Sequence, residues 1–428
     1  MVMSVSFRIG VEVRALELEA GEPQPPAGVG IRDQVALGAL TATYPPELVD
    51  QVLAATGRGE RRRRLLPARV MVYYALALAL FAGVAYEEVM RCLVHGLGWA
   101  RPQPGRSRRT WPAWHVPGAS AIAEARARLG AEPLQVLFAR AVAPLATSAT
   151  PGAWYRSWRV CAIDGTCLEV ADTPANDQAF GRPGSGRGEQ VAAFPQVRLV
   201  GLVECGTHAI LDAEVAGISA GGELRLVPRL GRSLTSGMLV LCDRGILGAD
   251  LWRTLTATGA ELLWRAKTNA VLPVDQTLAD GSYLSRIHPA RDRHRHAEAT
   301  VVRVIEYRLE DGGRPPASDT VYRLVTSILD PTAAPAAELA GLYAQRWEIE
   351  TALGELKTHQ RGPGAILRSR TPDGVLQEVW AYLLVHYALR RLMHQAAVDQ
   401  ALDPDRVSFT HTIRIIRRQV LTQAAFSP

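Results

Sequence analysis

"WRVCAID", residues 158–164, is a short β-branched apolar run that ends on a carboxylate. Two similar runs follow, "FPQVRLVGLVEC" (194–205) and "HAILDAEVAGI" (208–218), separated by Gly-containing turns. Runs of this composition and length, bounded by turn residues, read as three successive strands. The period then changes. A helix is expected around 221–234, a buried strand at "MLVLCD" (238–243), a helix over 247–258 and a further strand at "AELLWRA" (260–266). Three consecutive strands followed by alternating helix and strand is the order of an α/β layer with a mixed sheet. Residues 268–332 return to a strand-like pattern, with Gly and Pro turns. They read as a β-rich insertion, because the helical stretch that resumes at 335 is needed to cover the sheet.

Two carboxylates stand where these strands are expected to end: Asp164, followed by Gly165, and Asp243, followed by Arg244 and Gly245. If the two strands are adjacent and parallel, the roughly 4.8 Å strand spacing brings both acids within reach of one cation. A third acid comes from "YAQRWEIETALGELK", residues 343–357. At roughly 100° per residue, Leu342, Ile349, Leu353 and Leu356 occupy a sector about 60° wide. Tyr343, Arg346, Glu350 and Lys357 fall in a second sector centred about 80° away, at the edge of the apolar stripe. Glu348 and Glu355 land on the far side and read as solvent charges. Asp164, Asp243 and Glu350 are all hard oxygen donors with no His or Cys among them, a set that suits Mg²⁺ or Mn²⁺ better than zinc.

Composition bounds the rest. The chain has 428 residues, 48% of them apolar and 21% charged, with a net charge of +6. Of its 48 basic residues only Lys267 and Lys357 are lysines. A lysine on the sorted helix edge therefore suggests a position that wants a compact ammonium, for which guanidinium is no equivalent. The five cysteines form no C-x-x-C pair, which argues against zinc and against a disulfide framework. No apolar core follows a basic start at the N-terminus, so no signal peptide is expected and a cytoplasmic, nucleoid-associated location is. The uncharged stretch 70–86 reads as a buried helix and not as a membrane span. Residues 1–28 are expected to form a flexible arm and 29–147 a helical domain. "TPGAWYRSW" reads as a linker, 154–397 as the catalytic domain and 398–428 as a basic C-terminal tail. Arg clusters at 58–64 and 101–109, with Trp111 and Trp114 behind the second, suit DNA phosphates. "SAIAEARARLG", carrying Arg126 and Arg128, is the expected groove helix.

The spacing Tyr343-x₂-Arg346-x₃-Glu350-x₆-Lys357, together with "AIDGT" around Asp164 and "LCDRG" around Asp243, resembles the DDE transposases of the insertion element 4 family. The likeness extends over about residues 30–420. Ile246 departs from it, standing where an aromatic is frequent. The resemblance implies an RNase H-like catalytic core with a β-rich insertion, preceded by an all-helical N-terminal domain. It implies a transposase in which Asp164, Asp243 and Glu350 are catalytic and hold two Mg²⁺ or Mn²⁺ ions, one activating the nucleophile and one stabilising the departing 3′ oxygen. Tyr343, Arg346 and Lys357 would line DNA phosphates, with Arg244, Lys267, Arg126 and Arg128 as further DNA contacts. The partners implied are double-stranded DNA (terminal inverted repeats and target) and a second copy of the chain, with no membrane. An aromatic of the insertion region would hold a flipped base, the candidates being Trp264, Tyr283, Tyr307 and Tyr322. A stand-alone metal nuclease and a catalytically silent repressor are the competing functions. The intact acidic trio argues against the silent one.

Overall fold

A computed structural model describes residues 3–6, 38–59, 66–96, 116–184, 192–292, 298–310 and 321–422. The Arg runs at 61–64 and 101–109, Trp111 and Trp114 lie outside these residues, and so does most of the expected 1–28 arm.

The three runs that open the α/β pattern form β3 (Trp158–Glu169), β4 (Gln196–Glu204) and β5 (Ala209–Gly217). These pair as an antiparallel meander. β6 (Met238–Cys242) lies parallel to β3 on its other side, and β7 (Glu261–Arg265) lies parallel to β6. The expected β-rich insertion forms part of this same sheet. Its strands β8 (Gln276–Thr277), β9 (Tyr283–Ile287), β10 (Thr300–Glu310) and β11 (Tyr322–Thr326) continue the core sheet, since β11 pairs antiparallel with β7. The order is β5-β4-β3-β6-β7-β11-β10-β9-β8. β1 (Met3–Ser6) joins β10 in parallel, so part of the expected arm is a strand. β2 (Trp154–Tyr155) pairs with β3, so the expected linker is a strand of the same sheet.

Alternation along the strands sorts two cores. Val160 and Ala162 of β3 and Leu239 and Leu241 of β6 face one apolar layer; Cys161, Ile163, Val240 and Cys242 face the other. The second layer is closed by α8 (Glu223–Leu226), a 3₁₀ stretch (Val227–Ser233) and α9 (Ala249–Thr256).

The first layer is much larger. It is shared by α1 (Gly38–Thr43), α2 (Pro46–Ala55), α3 (Ala68–Leu80), α4 (Tyr86–Gly96), α5 (Ala119–Leu129) and α6 (Glu132–Ala141), and also by α10 (Ala336–Leu342), α11 (Trp347–Gly354), α12 (Pro372–Asp399) and α13 (Phe409–Thr422). A short α7 (Pro174–Phe180) lies beside it. α3 is apolar all round, with every residue from Met71 to Leu80 buried, as befits a helix surrounded by protein. Among the described residues no helix is long and apolar enough to cross a membrane. α12 runs between α3 and β5 and begins at a sequence-legible start: Thr371 accepts the Gly374 N–H and Pro372 stands in the first turn. The expected basic tail is partly a packed helix, since Phe409, Ile413 and Ile416 of α13 are buried.

Candidate active site

Asp164 is not at a strand end, as expected, but in the middle of β3, opposite Gly201 of β4. The neighbour that ends is β6. Its last pair with β3 is Cys242 with Ile163, so the next step of the register sets Asp164 beside Asp243. The pleat turns Asp164 to the same face as Ala162, the face over which α11 lies. Gly165 N–H donates to Asp164 Oδ1 at 2.8 Å. Burial pushes the Asp164 carboxyl above its ordinary value. The Gly165 N–H and the Arg346 guanidinium oppose that rise, and the negative charges of Glu223 and Asp243 add to it.

The helix carrying the third acid changes winding along its length. α10 passes into a 3₁₀ turn (Tyr343–Arg346), then α11, then a π turn (Glu355–Gln360). A uniform wheel therefore misplaces its ends. Glu350 is exposed and accepts from Arg346 at 3.0 Å, while Arg346 Nη1 lies 3.6 Å from Asp164 Oδ2. Arg346 was expected on DNA phosphates; the structure buries it between two of the three acids. Burial works against its charge, but Tyr343, Asp243 and Glu350 outweigh that and raise its pKa. Tyr343 was expected there too, yet its ring is buried and its hydroxyl donates to the Cys242 carbonyl at 3.1 Å, tying the helix to the end of β6. Lys357 is exposed on the π turn, and Arg244 and Lys267 are exposed on the loops after β6 and β7.

Four further expectations change. Arg126 is not free for a groove: it is buried, donating to Gln377 at 2.9 Å, Ser369 at 3.0 Å and the Tyr86 hydroxyl at 3.1 Å. Arg128 on the same helix is exposed. Of the rings proposed to hold a flipped base, Trp264, Tyr283 and Tyr307 are buried. Tyr322 is half-buried, stacked on Tyr307 with the Arg265 guanidinium 4.6 Å from its centroid. The exposed ring near the acids is instead Trp347, 62% exposed, with the Arg346 guanidinium 5.2 Å from its centroid. A tryptophan on the polar flank of an amphipathic helix was the sequence signal for it.

Glu348 and Glu355 are not solvent charges. Glu355 is buried, and Arg390 of α12 grips it with two nitrogens, Nε at 2.9 Å. His386 Nε2 lies 3.2 Å from the same oxygen as Arg390 Nε, and hydrogen bonds from His208 and His386 together with the Arg390 charge hold the Glu355 carboxyl below the usual range despite burial. Glu348 accepts the Gly206 N–H and borders a cavity of about 460 Å³ shared with His208 and Asp405. Burial pushes the Glu348 carboxyl up to about 7. An acid whose folded pKa lies above its unfolded one binds its proton better when folded, so its contribution to stability falls as pH rises from about 4.5 to about 7. Glu348→Gln keeps an acceptor for Gly206 without the charge. It should raise stability at pH 8 by about 3 kcal/mol, each pKa unit being worth about 1.4 kcal/mol, and change much less at pH 5. Urea unfolding at the two pH values checks this; an equal effect at both would refute it.

Whether the acids suit a metal can be judged from their chemistry. Three carboxylates share one guanidinium, leaving an excess of negative charge on oxygen donors alone, which suits a hard divalent cation. Among the described residues no group of three or more His, Cys, Asp or Glu side chains is gathered to hold a metal ion, Glu350 being turned onto Arg346.

Comparison with known proteins fits this arrangement. Residues 34–139 match the family described as insertion element 4 transposase N-terminal, and residues 157–388 match the transposase DDE domain. The chain is 28% identical over 386 residues to "Transposase InsG for insertion sequence element IS4" of Escherichia coli (strain K12), covering 90% of this chain and 83% of that one. It is 23% identical over 252 residues to "Putative transposase InsZ" of the same strain, covering 58% of this chain and 78% of that one. A cryo-EM structure described as a piggyBac transposase synaptic complex with hairpin DNA aligns with a TM-score of 0.46 at 10% identity, over 91% of this chain and 80% of that one. The mixed sheet, the two acidic strands and the matched stretches agree: this chain belongs to the insertion element 4 family of DDE transposases, with an RNase H-like α/β core.

Proposed function

We propose that this transposase cleaves DNA at the ends of its insertion sequence and joins those ends to target DNA at Asp164, Asp243 and Glu350. The observation that supports this best is the register that sets the two aspartates side by side on parallel strands, under the helix that carries Glu350. Each step exchanges one P–O bond for another. Water attacks the phosphorus and the 3′ oxygen leaves; the 3′-hydroxyl so formed then attacks a target phosphorus and displaces the target strand's own 3′ oxygen. Two divalent ions, Mg²⁺ or Mn²⁺, supply the positive charge for both nucleophile and leaving group when held by the three carboxylates. Arg346 bridges Asp164 and Glu350 and holds them turned towards one another. Trp347 offers an exposed ring three residues before Glu350 on which an unpaired base can stack.

Phosphates along the DNA meet the exposed Arg128, Arg244, Lys267 and Lys357, and helices α1–α6 share in recognising the ends. Two copies of the chain pair two ends. Incubating the protein with Mg²⁺ and a DNA carrying both inverted repeats and a target plasmid should give 3′-hydroxyl ends and joined products. Cleavage without joining would favour a nuclease, and specific binding without cleavage a repressor.

Lys357 carries a separate expectation. Arginine is accepted at 46 of the 48 basic positions, yet its planar fork cannot replace a point charge that seats one phosphate. A misplacement near 1 Å costs on the order of 100-fold in rate. Lys357→Arg should keep most end binding and lose most of the single-turnover cleavage rate; a rate within about twofold of the parent would make Lys357 an ordinary surface charge.

A further inference from the structure

Glu355 and Gln360 open and close the π turn that follows α11, and neither belongs to the Tyr-Arg-Glu-Lys spacing. Both are buried, while Lys357, Thr358 and His359 between them are exposed. Both are also fastened to α12. Glu355 meets Arg390 and His386, and the Gln360 amide donates to the Tyr382 carbonyl at 3.1 Å. Tyr382, His386 and Arg390 follow one another at four-residue steps along α12, which sets them in a row on one side. Arg417 of α13 adds a third tie, donating to the Gln360 carbonyl at 2.8 Å and to the Leu80 carbonyl at 2.6 Å.

Residues five apart lie about 140° from one another on an α-helix, so ordinary winding would not turn both Glu355 and Gln360 to α12. A π turn closes its hydrogen bonds between residues five apart and brings such a pair towards one side. The anchors and the winding therefore require each other. Lys357 makes no hydrogen bond or ion pair among the described residues, so the backbone of this turn sets its direction. We infer that Glu355 and Gln360 are positioning residues: by clamping the π turn to α12 they aim Lys357 at the phosphate it seats near Asp164, Asp243 and Glu350. This rests on the reading of Lys357 given above and names what holds that side chain in place.

Two routes loosen the clamp without leaving a buried charge unpaired. Gln360→Met removes the bond to Tyr382 at nearly constant size, and Glu355→Leu with Arg390→Met replaces the ion pair by apolar groups. Single-turnover cleavage and end binding are measured on the full chain, with urea unfolding alongside. Each route should cut the cleavage rate by about 10- to 100-fold, as a misplacement near 1 Å does, while the urea midpoint and end binding stay close to the parent. A merely structural role would make rate and midpoint fall together. The decisive readout is the Lys357→Ala background. There neither route should slow cleavage by more than about twofold, because residues that act through one group do not add their losses. Equal losses with and without Lys357, or a parental rate in both clamp variants, would overturn the inference and leave the reading of Lys357 standing. If Lys357→Ala alone cleaves within about twofold of the parent, that reading fails first and the inference falls with it.

Discussion

Asp164→Asn, Asp243→Asn and Glu350→Gln are each expected to cut the single-turnover cleavage rate by about 10³-fold or more. The end-binding constant should stay within a few-fold. The asymmetry comes from where each interaction acts. On the proposed reading, metal charge held by these carboxylates would stabilise the transition state by several kcal/mol, and about 1.4 kcal/mol is a factor of ten in rate. On that reading, end binding would draw instead on phosphate contacts of exposed cations such as Arg128 and Arg244, which the substitutions leave in place. Glu348 and Glu355, the obvious neighbours for control substitutions, are unsuitable because both are built into the protein. Glu124, exposed on α5, is a fair control and should change neither rate nor binding. If Glu350→Gln cleaved normally while Glu124→Gln did not, the assignment of the third acid would be wrong.

The second large effect is on stability. Arg390→Met leaves Glu355 ionised, buried and facing only His386 and His208, and breaking a buried pair in this way costs about 3–5 kcal/mol. The expected result is a lower urea midpoint with little change in slope. Replacing both partners, as Arg390→Met with Glu355→Leu, should recover most of the loss, since no unpaired charge then remains. A double variant as unstable as the single one would show that the ion pair is not what the site contributes. The two substitutions also bear on activity, because Glu355 begins the turn that carries Lys357.

The strands and their carboxylates were legible because the information is local. Apolar β-branched runs ending near an acid and a glycine specify a strand and a site within about ten residues. What remained hidden depends on residues far along the chain. Glu355 looks solvated on a wheel because the wheel shows one apolar stripe; the opposite side of the helix is covered by Arg390 and His386 of α12 and by His208 from the β4–β5 turn. The winding change from 3₁₀ to α to π also breaks the assumption of a constant angle. Arg126 had the sequence context of a phosphate contact, and only the arrival of Gln377 and Ser369 makes it internal. Asp164 was placed at a strand end because Gly165 looks like a terminator. β3 continues because Gly165 still pairs with Val200 in the ladder, and its missing side chain makes room for Glu223.

α12 has one more implication, for how the molecule can be taken apart. Tyr44 donates to the Leu384 carbonyl at 2.6 Å, Gln377 donates to Gly130 at 2.8 Å, and Tyr387 donates to Ala143 at 2.9 Å, so α12 is held by the helices before residue 147 as firmly as it holds the sheet. End recognition and catalysis are therefore not separable cassettes. A chain beginning at residue 148 would lay bare the apolar side of α12 that α3 and α6 cover, and its failure to bind DNA would report aggregation. Swapping end specificity between relatives by exchanging the first third of the chain would have to carry the matching surface of α12 with it. Single exchanges at exposed arginines are the cleaner way to learn which helix reads the ends.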